Sequence, residues 1–74
     1  MKIDFDKLLA KEPGLTKKKL AQEMTNHGLF KSIRSGEMMI QYHQNGKAKG
    51  CDYALLKYLA TRFKVKGSEI IQWN

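Results

Sequence analysis

One stretch limits the possible folds more than any other. From Tyr53 to Lys64 the residues Leu55, Leu56, Leu59, Ala60 and Phe63 recur at i, i+3 and i+4 without a break, and Asp52 stands where an N-cap belongs. That spacing lays a continuous apolar stripe along a helix of about three turns, and such a stripe must be covered by other elements. The chain has 74 residues, close to the lower limit at which one core offsets chain entropy. Few partner elements are therefore available, and each must be short. The expectation is an all-α fold, a compact bundle of about five short helices forming a single domain over 1–74.

The partners can be read in order. Asp4 is placed to cap a first helix through Lys11, with Phe5, Leu8 and Leu9 on its inner stripe, ended by Pro13-Gly14. Leu15 packs, and Thr16 caps a second helix in which Leu20, Ala21 and Met24 face inward. Its first turn holds Lys17, Lys18 and Lys19, three cations against the positive helix end, as a solvated charge run or as a place for a phosphate. This helix stops at Met24 or continues to His27 with Gly28 as its left-handed C′ residue, and the longer version lets Leu29 and Phe30 fold back on the helix end. After Lys64, Val65 packs, Gly67 turns, and Ser68 caps a last short helix with Ile70 and Ile71 inward. Trp73 lies over the core edge or marks a subunit contact.

The functional argument centres on Ser35 to Gly50, SGEMMIQYHQNGKAKG. Ser35 can cap a helix and Asn45-Gly46 can close it. In between, Met39, Ile40 and His43 share one face, while Glu37, Met38, Gln41 and Tyr42 project elsewhere. One face packs and the other is free to read a partner. The loop that follows offers Lys47 and Lys49 with approachable backbone amides, which suits a phosphate chain. A rival reading starts the helix at Leu29, with Phe30 and Ile33 inward, and ends it at Ser35-Gly36.

Charge points the same way. Lys and Arg number 14 against 7 Asp and Glu, a net +7 with a pI near 9.7, so a polyanionic partner is expected. Most of the excess lies between Pro13 and Cys51, where seven basic residues face two acidic ones. One cysteine excludes an internal disulfide and a Cys-based zinc cluster. His27 and His43 are far apart in sequence with no nearby acidic pair, so no metal or other cofactor is expected. No catalytic constellation is present, and an enzyme is not expected. Asp4 and Asp6 interrupt the start, and nowhere do 18 apolar residues run together, so neither a signal peptide nor a membrane span is expected and the chain is placed in the cytoplasm.

Two segments resemble a known family. Gly14-Leu15-Thr16-Lys17-Lys18-Lys19-Leu20-Ala21-Gln22 is similar to the scaffold helix of the phage-repressor and Cro family of helix-turn-helix DNA-binding proteins, the xenobiotic-response-element type. Ile40, Asn45-Gly46-Lys47 and Lys49, followed by Leu55-Leu56, Leu59-Ala60, Phe63 and Val65, are similar to that family's recognition-helix exit, loop and fourth helix. The resemblance implies a lambda-repressor-like helix-turn-helix domain that binds double-stranded DNA as a homodimer, with the third helix in the major groove, in the role of a transcriptional regulator. Carried over by position, Glu37, Met38, Gln41 and Tyr42 would face base edges, and Lys17, Asn45, Lys47 and Lys49 would contact phosphates. The chain departs from the pattern by an enlarged turn spanning roughly residues 25–34, by His43 at a usually apolar position, and by the acidic Glu37 at the groove edge. If the helix from Leu29 were the third one, Lys31, Ser32 and Arg34 would become the readers. A different class of function also fits: a protein-interaction module, for instance an accessory protein of a mobile element, that keeps the scaffold and docks through Leu29, Phe30 and Ile33.

Overall fold

The computed structural model describes residues 2–47 and 53–72. In chain order the elements are β1 (Lys2–Ile3), α1 (Phe5–Leu9), α2 (Lys17–Asn26), α3 (Ile33–Gln44), α4 (Tyr53–Phe63), α5 (Gly67–Ile70) and β2 (Ile71–Gln72). The architecture is a small all-α bundle of five helices. Its core is one cluster made of Ile3, Phe5, Leu8, Leu20, Ala21, Met24, Ile40, Leu55, Leu59, Phe63 and Ile70. Every helix contributes at least one of these residues, so the bundle closes over a centre that no single pair of helices could cover. No helix among the described residues is long and apolar enough to cross a membrane.

The helix boundaries follow from local chemistry. Asp4 caps α1, its carboxylate accepting from the Lys7 N–H at 3.0 Å. Helix α1 stops at Leu9 rather than Lys11, and Lys11 and Glu12 are held by tighter three-residue bonds from their amides to the Leu8 and Leu9 carbonyls. The turn Glu12-Pro13-Gly14-Leu15 follows, closed by the Leu15 N–H on the Glu12 carbonyl at 3.0 Å with Gly14 at φ +92°. Thr16 caps α2 as expected, its hydroxyl accepting from Lys19 N–H at 3.1 Å. The longer version of α2 is the one formed: Gly28 takes φ +94°, its N–H reaches the Thr25 carbonyl, and the Leu29 N–H reaches that of Met24, both at 3.0 Å. Lys64 adopts φ 55° in the equivalent place after α4, with Val65 N–H on the Ala60 carbonyl at 3.0 Å.

Two expectations are corrected at α3 and α5. Helix α3 begins at Ile33, and its N-cap is Ser32, whose hydroxyl accepts from the Ser35 N–H at 3.1 Å. Ser35 therefore lies inside the first turn. The rival helix from Leu29 to Ser35 does not form, because residues 27–32 are the connection between α2 and α3. At α5 the cap position is Lys66, with no side-chain cap bond, and Ser68 sits within the helix. Ile71 is half-buried in a strand rather than on a helix. The expected Asp52 cap and Trp73 lie outside the described residues.

The strands were not expected. Lys2 pairs with Gln72 and Ile3 with Ile71 in antiparallel register. The Asp4 N–H continues the tie to the Ile70 carbonyl at 2.8 Å. The start of the chain is thereby fastened to α5 and β2, and Ile3 is 1 % exposed.

A second long-range tie is ionic. The Arg62 guanidinium lies between Glu12 and Glu23: Nε donates to Glu23 Oε1 at 2.8 Å, Nη2 donates to Glu12 Oε1 at 3.0 Å, and Nη1 also engages Glu12. These bonds join the turn after α1, helix α2 and helix α4. The hydrogen bond from Arg62, aided by its charge, holds the Glu12 carboxyl below the ordinary value of 4.5 against the opposing effect of burial. A depressed carboxylate contributes stability that is present above 4.5 and is lost as pH falls through the folded-state value. Arg62→Met is therefore expected to lower the urea midpoint at neutral pH, with the deficit relative to the parent shrinking as the solution is acidified below 4.5. A deficit that stays constant with pH would mean that the carboxylate charge does not matter to the contact.

Candidate nucleic-acid interface

Helix α3 is held by its inner face and by both ends. Gly36, Ile40 and His43 are buried on one side. Gly36 lies against α2, where a Cβ added to it would come within 3.0 Å of Ala21 Cβ and 3.2 Å of Phe30 Cδ2. At the far end Asn45 is the C-cap and Gly46, at φ +74°, turns the chain, with the Gly46 N–H on the His43 carbonyl and the Lys47 N–H on that of Tyr42, both at 3.2 Å. The Lys2 side chain packs over Gly46, so close that a Cβ on Gly46 would meet its Cγ at 2.8 Å. The first strand thereby braces the exit of α3.

Fixing the inner face determines the outer one. With 3.6 residues per turn, Met38, Gln41, Tyr42 and Asn45 form a stripe opposite Gly36, Ile40 and His43. Met38 is 65 % exposed and Tyr42 43 %. Both are large apolar-bodied side chains left in water on the outer side of α3. Together with Gln41, Asn45 and Lys47 they line a shallow depression of about 230 Å³. Inside it Gln41 Nε2 donates to Asn45 Oδ1 at 3.3 Å, which orients both amides. The Tyr42 ring also stands edge-on to His43, 6.1 Å between centroids. The surface offers amide donors and acceptors, two apolar contacts and one ammonium group, a set suited to recognition by contact.

Those expected site residues that the structure describes separate into three groups. Met38, Gln41, Tyr42, Asn45 and Lys47 come together in the depression. Glu37 is exposed on the same helix one turn before Gln41 but does not line it. Lys17 stands apart, half-buried in the first turn of α2 beside the exposed Lys18 and Lys19, and Lys19 Nζ donates to the Gly14 carbonyl at 3.2 Å. Lys49 lies outside the described residues. One further residue joins the stripe: with α3 starting at Ile33, the exposed Arg34 falls four residues before Met38 on the outer face. The sequence signal for it was the Ser32 cap.

His43 is buried at 3 % exposure, and the His27 ring lies 4.7 Å from that of Tyr58. Burial and the nearby Glu23 carboxylate push the Tyr58 phenol up. Among the described residues no group of three or more His, Cys, Asp or Glu could hold a metal ion. Leu29, Phe30 and Ile33, the docking patch of the alternative reading, are half-buried and packed against the core. Comparison with protein-family models, with curated proteins and with solved structures finds no match for this chain.

Proposed function

We propose that this chain is a sequence-specific DNA-binding protein, a small transcriptional regulator that acts as a homodimer with α3 in the major groove. The observation that carries the reading is the outer face of α3, an exposed stripe of Met38, Gln41, Tyr42 and Asn45 that runs into Lys47 on a chain of net charge +7. A helix fits the major groove, amides of Gln and Asn match base edges, and a basic exit loop matches phosphates. The packing of Leu29, Phe30 and Ile33 on the core favours this reading over docking through the enlarged connection.

The test is a salt-dependent titration with random-sequence duplex fragments, followed by selection and sequencing of the bound fraction. Neutralising about five phosphates gives a log–log slope near −4 to −5. Lys47→Ala is expected to weaken binding to all sequences alike and to reduce that slope by about one, whereas Gln41→Ala changes preference at one or two base pairs. A two-fold-symmetric enriched sequence supports the dimer. Absence of binding at physiological salt would discard the reading.

A further inference from the structure

We infer that Arg34 is a base-reading residue, and that the outer face of α3 selects a half-site in which a guanine lies about three base pairs from an A·T pair. This rests on the DNA-binding reading above and extends it to the bases recognised.

Three features of the outer face carry the inference. Arg34 is exposed at the start of α3, and the ion pairs among the described residues, those of Arg62, do not involve it. A guanidinium fork presented without a protein carboxylate matches the O6 and N7 acceptors of guanine. Second, the bond from Gln41 Nε2 to Asn45 Oδ1 uses one donor of the Gln41 amide and leaves its Oε1 and second N–H to act together. An acceptor beside a donor is the complement of adenine, which offers the N6 amino group and N7. Third, Met38 and Tyr42 present apolar surface in the same depression as that amide. The thymine of an A·T pair places a C5 methyl in the major groove, and an apolar concavity next to the adenine-reading amide is suited to receive it.

The spacing follows from helix geometry. Arg34 and Gln41 are seven positions apart on one face of α3, a rise of about 10 Å at 1.5 Å per residue. Nucleotides along a strand are separated by about 3.4 Å, so the two side chains reach bases about three steps apart. Glu37, between them but outside the depression, accepts only, and so matches a cytosine amino group rather than the O6 and N7 acceptors of a guanine in the intervening step.

The experiment uses the full chain and the selected duplexes. The parent protein is expected to enrich guanine and A·T at that separation. Arg34→Ala should relax the preference for guanine by roughly five- to 150-fold while leaving the A·T preference in place. Replacing the selected thymine by deoxyuridine, which removes only the methyl group, should weaken binding about fourfold for the parent and not for a Met38→Ser, Tyr42→Ser variant. Circular dichroism of each variant controls for folding, which exposed positions should leave intact. If DNA is bound tightly with no guanine preference dependent on Arg34, the inference is overturned and the DNA-binding reading stands. If no duplex is bound, the reading itself falls and the inference with it.

Discussion

Gly36→Val is expected to destabilise the domain by about 3 kcal/mol. Gly36 of α3 lies directly against α2, and an added Cβ would come within 3.0 Å of Ala21 Cβ, 3.2 Å of Phe30 Cδ2 and 3.4 Å of Ala21 Cα. Two of these atoms belong to the backbone and first side-chain carbon of α2, which cannot move aside as the end of a long side chain can. The two γ-methyls of valine add volume where the core is already close-packed, and relief requires the helices to separate. A domain of this length has total stability of roughly 4–11 kcal/mol, so the loss is a large share of it. A fall in Tm of 10 °C or more follows. Gly36→Ala is the informative neighbour: it gains about 1 kcal/mol of helix propensity and adds one atom against the same contacts, so the two effects nearly cancel. A valine variant within about 0.5 kcal/mol of the parent would show that the two helices do not approach as described.

The same contact explains which parts of the fold were legible in the sequence. Gly36 reads locally as a helix breaker, which draws the start of the helix to Ser35 or its end to Ser35-Gly36. The packing against Ala21 makes glycine the residue that belongs inside a helix there, and the cap moves back to Ser32. Where the signal was local it carried through: the Thr16 cap, Gly28 as C′ residue, Asn45-Gly46 at the exit of α3 and the stripe through Leu55, Leu59 and Phe63 all lie within one or two turns of the residues they determine. What stayed hidden is non-local. Strands of two residues have no period to detect, and their partners stand at opposite ends of the chain. Arg62 reaches Glu12 and Glu23 across separations of 50 and 39 residues. On the candidate interface the exposed positions of α3 were legible because burial of Ile40 and His43 fixes them, but Arg34 depended on the misplaced cap and therefore on the Gly36 contact.

Ile3→Ala is expected to cost about 2–4 kcal/mol, although chain starts usually tolerate substitution. Ile3 is 1 % exposed and belongs to the core cluster with Phe5, Leu8 and Ile70. Its truncation removes three carbons from a site whose walls are tied in place by the β1–β2 pairing and by the Asp4 N–H on the Ile70 carbonyl, so the void closes only in part. Thermal or urea unfolding of Ile3→Ala beside Lys11→Ala, an exposed control, measures the difference. A loss below about 1 kcal/mol would mean that the strand pair does not hold Ile3 in the core. The consequence extends to the interface, because the neighbouring Lys2 packs over Gly46 at the exit of α3. In the DNA-binding reading, loosening β1 frees the turn that presents Lys47, so Ile3→Ala should also weaken binding at temperatures where the domain remains folded. A variant that loses stability but keeps full affinity would show that the exit turn is held by its own two capping bonds alone, without the brace from the first strand.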